Sequence, residues 1–275
     1  MANINAEILR LYNQGGLSYA QISKRIEPIA GHLATEAIRS RVRRMLNRKE
    51  EKTDKFGKPN GKYPTVTSDV ERESILDELS GEGNEVFKIG VLDCETTGLW
   101  ADFGYLLCAV IKNVSTGEYD VFRLDETKSY QNKTFRQDPK NWRRIDKELL
   151  EKFRKVYETY DIIVHYNGRY FDIQFLDTRL IKNHLPTLPD MKQIDILNDV
   201  IRKKMRIRSS RLDAVKEFLE IDEKEDGHAW EYWQMAANGM KEGFDYVVHH
   251  CKRDVDRLGE VTKRVKSQIR IIGKW

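Results

Sequence analysis

The chain has 275 residues, 40% hydrophobic and 33% charged, with a net charge of +4. That suits one or two soluble globular domains with ample core, and no run approaches the ~20 apolar residues of a membrane helix. The N-terminus lacks the basic region and apolar stretch of a secretory signal, and Cys94, Cys108 and Cys251 lack metal-ligand spacing, so a reducing, cytoplasmic setting is expected. The charge is uneven. Residues 1–50 hold 9 Lys/Arg against 4 Asp/Glu, a balance of +5, while the remainder hold 39 against 40. A basic N-terminal segment points to a polyanionic partner.

Residues 4–12 place Ile4, Ile8, Leu9, Leu11 and Tyr12 on one helical face, and Gln14-Gly15-Gly16 stops that helix. Ser18 can cap a second helix, Tyr19 to Ile26, which buries Ile22 and Ile26. After a turn at Pro28–Gly31, Thr35 caps a third helix, Glu36 to about Leu46, whose apolar stripe is Ile38, Val42 and Leu46. Arg39, Arg41, Arg43 and Arg44 cover its other faces. Three short helices, the last rich in arginine, resemble a helix-turn-helix DNA-binding domain over about 45 residues. The resemblance implies that the third helix enters a major groove and that its arginines meet phosphates or guanine edges. The alternative is a small helical bundle with a solvated charged face. Residues 47–67 are polar, with Gly57, Pro59, Gly61 and Pro64, and read as a linker. A capping box, Ser68 to Glu71, opens a short helix to Leu79. The expected division is 1–50, 51–84 and 85–275.

The last segment begins with an apolar run, Val86 to Leu92, ending in Asp93, with Glu95 two residues on and then a Thr96-Thr97-Gly98 turn. Gly104 to Lys112 and Glu118 to Leu124 read as strands joined by a hairpin at Ser115-Thr116-Gly117. An amphipathic helix, Asp146 to Tyr160, precedes a fourth strand at Asp161 to His165. A helix from about Tyr170 to Lys182 and a fifth strand at Ile194 to Leu197 follow; from Arg211 onward the pattern is helical, ending in Asp245 to Arg264. This is an α/β order, and the hairpin makes the five-stranded sheet mixed.

Carboxylates repel one another and resist burial, so Asp93 and Glu95 at a strand end imply a shared cation. Two later stretches supply more acids in similar contexts. Asn167-Gly168-Arg169-Tyr170-Phe171-Asp172 follows the fourth strand, close to the strand ends where α/β sites collect. His250 and Asp254 lie four apart on the last helix and share a face. Asp-x-Glu, Asn-x-x-x-Phe-Asp and His-x-x-x-Asp-Val, in this order and on these elements, resemble the three motifs of the DEDD superfamily of 3′→5′ exonucleases, the polymerase-proofreading type. The resemblance covers roughly residues 86–266. It implies a ribonuclease H-like fold and two Mg²⁺ or Mn²⁺ ions held by Asp93, Glu95, Asp172 and Asp254. Hard oxygen donors suit those ions, and a two-metal site activates water and stabilises a leaving alkoxide. The resemblance also implies a water-orienting base four or five residues before the last acid. His250 stands at the first spacing and His249 at the second; His250 is favoured because it shares the face of Asp254. Histidine suits the task because its ordinary pKa is near ~6.5.

By the same resemblance Thr96, Thr97 and Leu99 meet the terminal nucleotide, through backbone amides and an apolar wedge, and Asn167 and Phe171 line the cleft. Trp100, Tyr105 and Tyr170 are candidates to stack on bases or to pack at the rim. The basic run Arg202 to Arg211 is a candidate to follow a strand backbone or a solvated face. The expected function is a metal-dependent 3′→5′ exonuclease acting on single-stranded DNA, with DNA ahead of RNA as partner, a separate DNA polymerase as a candidate associate, and no membrane. The host cytoplasm is the expected place if the protein is phage-encoded. Two alternatives stand beside it. Transposases and integrases join a helix-turn-helix to a ribonuclease H-like acidic site, though with a lone Asp on the first strand. A DNA-binding regulator with a relic nuclease domain is the other.

Overall fold

The structure, a computed structural model, describes residues 7, 10, 11, 19–26, 75–79, 87–133, 138–221 and 229–269. The expected third helix with Arg39, Arg41, Arg43 and Arg44, the segment 47–67, the capping box and His228 lie outside the described residues. Helix α1 spans Tyr19–Ile26, the range expected from its cap and spacing, and fully buries Ile22 and Ile26. At 75–79 the chain is helical, and Ile75, Leu76 and Leu79 belong to the same core as the sheet. The buried Glu78 accepts hydrogen bonds from the Phe87 N–H at 2.8 and 2.9 Å, which fixes the approach to the first strand.

Five strands form one mixed sheet: β1 (Ile89–Thr96), β2 (Leu106–Asn113), β3 (Tyr119–Arg123), β4 (Ile162–His165) and β5 (Lys192–Asp195), in the order β3-β2-β1-β4-β5. β1–β2 and β2–β3 are antiparallel; β1–β4 and β4–β5 are parallel. The expected α/β architecture with a mixed five-stranded sheet is therefore present. Parallel pairing puts the C-terminal ends of β1, β4 and β5 side by side; Asp93 and Glu95 stand near the end of β1, Asp195 at the end of β5, and Asp172 opens the helix that follows β4.

Two strand ends near the acids differ from expectation for stateable reasons. β1 does not stop at Asp93, because β2 continues to pair with it through Glu95↔Cys108 and, past a bulge between Glu95 and Thr96, at Thr96↔Leu106. β5 stops at Asp195 because residues Ile196–Ile201 wind into a π-helical turn, with the Asp195 carboxylate accepting from the Asn198 N–H at 3.0 Å.

The helices cover the sheet. α2 (Lys147–Tyr157) packs Leu149, Leu150, Phe153 and Tyr157 inward, against β2, β3 and α3 (Asp172–Lys182). α4 (Leu212–Phe218) and α5 (Glu231–Ala237) both rest on α6 (Lys241–Val265), which lies across β1 and β2. α6 begins four residues before the expected Asp245. It carries Gly243 and Gly259, each costing ~1 kcal/mol in a helix. Its buried Phe244, Val247, Val255, Leu258 and Val261 offset that several times over, at ~1.5–3 kcal/mol each. Gly243 has a local reason: a Cβ there would lie 2.3 Å from the Ala236 nitrogen, so α5 and α6 meet only because the side chain is absent.

A buried ion pair sets the loop that follows β1. Arg179 of α3 binds Asp146 through Nε (2.8 Å) and Nη2 (2.7 Å), and its Nη1 donates to the Ala101 carbonyl at 3.0 Å. Both side chains are almost fully buried, which requires this complete set of partners. Asp146 thus anchors a loop as well as preceding α2.

Candidate active site

Strand alternation sends Asp93 and Glu95 to the same side of β1 and Cys94 to the other. α6 supplies His250 and Asp254 on the Glu95 side. His250 Nε2 lies 3.4 Å from Asp254 Oδ2 and 3.9 Å from Glu95 Oε1. Glu95, His250 and Asp254 form a group able to hold a metal ion, with one ligand atom of each within 4.8 Å of the others. His250 is buried; His249 is exposed and stands outside this group.

Asp93 lies close enough to Glu95 and Asp254 to feel their charges. Its Oδ2 is buried with no hydrogen-bond partner among the described residues. Burial, together with the charges of Glu95, Asp172 and Asp254, pushes its carboxyl well above the usual range. Burial likewise raises the Glu95 carboxyl well above its usual range, and that of Asp172 above its own. Asp172, at the first position of α3, accepts a hydrogen bond from the Cys94 thiol at 3.0 Å. Burial, with Asp172 and Asp93 nearby, raises that thiol, so it stays a donor. Cys251 of α6 donates to the Asp93 carbonyl at 3.3 Å. All three cysteines are buried, and Cys94 also orients an acid.

Asp172 is presented by the turn 166–171. Asn167 takes a left-handed backbone (φ 64°), and a Cβ on Gly168 would meet the His165 ring at 2.6 Å, so Asn-Gly suits both positions. Asp195, fully buried at the end of β5, holds the turn together. It accepts from the Asn167 N–H (3.1 Å), the Arg169 N–H (3.4 Å) and Asn198 Nδ2 (2.9 Å), and its Oδ2 lies 3.6 Å from His165 Nδ1. Asn198 Nδ2 also donates to Asn167 Oδ1 at 3.2 Å.

The chain from residue 90 to residue 266 matches the family described as the RNase_H superfamily. The chain belongs to the RNase_H superfamily. No curated protein matches it. Among solved structures it is similar to a family B DNA polymerase from the hyperthermophilic archaeon Pyrobaculum calidifontis, at 16% identity and a TM-score of 0.46, over 67% of this chain and 27% of that one. It is also similar to a chain of an ExoI/SSB-Ct complex, at 15% identity and a TM-score of 0.40, over 66% of this chain and 41% of that one. The chain thus spans well under half the length of either.

On this RNase_H superfamily sheet the residues expected to meet substrate have the following places. Thr96 Oγ1 donates to the Gly98 carbonyl (2.8 Å), and Leu99 is 75% exposed. The Thr97 N–H, expected to face a nucleotide, instead donates to the Tyr105 carbonyl (3.1 Å), and Thr97 Oγ1 accepts from the Tyr105 N–H (3.0 Å). These bonds close the loop after β1. Phe171 is half-buried against Phe175. Tyr105 belongs to the core: it is buried, edge-on to Trp142, with its hydroxyl on the Ala237 carbonyl. Trp100 and Tyr170 are exposed. Within 202–211, Arg202, Lys203, Lys204, Arg206, Arg208 and Arg211 are exposed; Arg202 also bonds Asn198 and Lys203 bonds Asp199.

Three residues of the site have no part in the sequence reading. Trp233 of α5 donates from Nε1 to Glu95 Oε2 at 2.8 Å. Arg257, one turn after Asp254, places Nη1 3.1 Å from Asp254 Oδ1 and 3.6 Å from Asp213. Asp195 is the third. Asp195 falls inside the expected strand Ile194 to Leu197, so neither it nor Trp233 offers a sequence signal. Among the described residues no helix is long and apolar enough to cross a membrane.

Proposed function

We propose that the protein is a metal-dependent 3′→5′ exonuclease of the DEDD type, acting on single-stranded DNA. One observation carries the reading. Glu95, His250 and Asp254 form a group able to hold a metal ion, the charges of Glu95, Asp172 and Asp254 act on Asp93, and the buried Asp93 Oδ2 has no hydrogen-bond partner among the described residues.

The donor set fits divalent ions. Asp93, Glu95, Asp172 and Asp254 would hold them, all through hard oxygen atoms that suit Mg²⁺ or Mn²⁺. Such ions, when bound, make water acidic and stabilise charge on a leaving oxygen. The chain's own residues do the rest. His250 Nε2 accepts a proton from the attacking water, and Asp254, 3.4 Å away, stabilises the imidazolium that results. Arg257 holds Asp254 from the other side. The loop 97–104, fixed by Arg179 and Tyr105, presents Leu99 to the terminal nucleotide, while Asn167 and Phe171 border it from the turn after β4. Substrate-end positioning of this kind converts a bimolecular attack into a local one.

A single DNA strand labelled at its 5′ end, incubated with the protein and Mn²⁺, is expected to give a ladder of shortened products. Asp93→Ala should slow it by ~10²-fold or more, the scale of losing one transition-state stabiliser. A ladder that persists at full rate in Asp93→Ala contradicts the metal-site assignment. Duplex DNA and RNA in parallel lanes define the substrate.

A further inference from the structure

The two oxygens of Glu95 have different neighbours. Oε1 faces His250 Nε2 at 3.9 Å, within the group able to hold a cation. Oε2 accepts the Trp233 indole hydrogen bond at 2.8 Å. The same indole stands edge-on to the His250 ring, with centroids 5.1 Å apart and planes at 77°. One side chain thus touches both an acid and the histidine of the candidate site.

We propose that Trp233 is a positioning residue of the metal centre: its indole N–H holds one oxygen of Glu95, which fixes the rotamer that turns the other oxygen toward the cation. This rests on the reading of Glu95 as a metal ligand. Indole is suited to the task. Its N–H donates and accepts nothing, carries no charge and does not titrate, so it can neither ligate the metal nor compete for the proton moved by His250. Its flat body has two side-chain torsions to fix, so holding it costs little entropy. A tryptophan used for packing alone still needs a partner for its N–H, and a backbone carbonyl would serve. Here the partner is a carboxylate of the site.

The position of Trp233 is set by the helix that carries His250 and Asp254. α5 approaches α6 closely at Gly243. Tyr246 of α6 stacks on Tyr232 (centroids 4.1 Å, planes 12°) and meets Trp233 edge-on (5.9 Å, 74°). These contacts align the indole with Glu95 across 138 residues of sequence. Hydrogen-bond partners that orient metal ligands typically cost 10–100-fold in metal affinity or activity when removed.

Isothermal titration of Mn²⁺ into the metal-free full chain tests the role. Trp233→Phe keeps a ring and deletes the donor. It should bind Mn²⁺ ~10–100-fold more weakly than wild type, at an unchanged metal-free melting temperature. Equal affinities overturn the proposal and leave the metal-site reading standing; absence of Mn²⁺ binding by wild type overturns both. If Trp233→Phe melts lower or does not fold, wild-type and Glu95→Ala proteins labelled with ¹⁵N-tryptophan decide. A single indole N–H signal that moves both when the carboxylate is lost and when wild type is saturated with Mg²⁺ supports the role. No signal answering to both refutes it.

Discussion

Asp93 illustrates what a functional site asks of a single residue. Its carboxylate is buried beside three others, and burial and repulsion both disfavour the charged form. A carboxyl raised in this way contributes most stability below the ordinary carboxylate pKa and loses it as pH rises through the raised value. In the metal-free protein, then, stability should fall on going from mildly acidic to neutral pH. Asp93→Asn removes the charge and keeps the shape. With chelator present it should melt higher than wild type at neutral pH, by ~2–4 °C, the shift of about 1 kcal/mol in a domain of this size. The gap should close as pH falls. Calorimetric melts across pH check this; a variant that melts well below wild type at neutral pH would mean that Asp93 stabilises the fold in its own right. Glu95, Asp172, Asp254 and His250 were all proposed from the sequence, through motif spacings that resemble those of a known superfamily. The choice of His250 over His249 rested on sharing a helical face with Asp254, and the fold buries the first and exposes the second.

At the scale of elements, the parallel run β1-β4-β5 places three strand ends in a row, and the turn after β4 depends on β5 for its shape. Asp195 accepts two backbone N–H groups of that turn, Asn167 and Arg169, beside its bonds to Asn198. Asp195→Ala leaves these donors without their acceptor in a buried place. A loss of ~1–3 kcal/mol in urea unfolding is expected, with kcat down ~10–100-fold through the displaced Asp172. Asp195→Asn keeps one acceptor oxygen and should lose less of both. Equal kcat in wild type and Asp195→Ala would show that the turn holds its shape without β5. The strands themselves were readable from apolar runs and turn residues. The exact ends were not, since β1 continues past Asp93 only because β2 pairs with Glu95, and the π-helical turn ends β5 through a side-chain cap.

At the scale of the whole molecule, a basic N-terminal segment is joined to an RNase_H superfamily fold that binds its own acids tightly together. If residues 1–50 form a nucleic-acid-binding unit, as their arginines and helix spacing lead us to propose, their removal separates two kinds of binding. Affinity for DNA should drop. The slope of log affinity against log salt should become shallower, by ~0.9 for each duplex phosphate that the shortened protein no longer neutralises. Turnover of short oligonucleotides should persist. Fluorescence anisotropy at several salt concentrations, alongside the ladder assay, measures both; loss of short-oligonucleotide turnover argues against separable units.

Through the resemblance of its motifs the sequence proposed four acids and a histidine; by itself it determined the five strands and their succession along the chain. The strands follow from apolar runs bounded by turn residues, and the helices between them from a 3.6-residue periodicity that records their buried face. Only the tertiary structure decided which groups hold the acids. Cys94 on Asp172, Asp195 beneath Asn167, and Trp233 on Glu95 join residues 28 to 138 positions apart. No periodicity spans such distances, because these contacts depend on how whole elements pack and not on the pattern within any one of them.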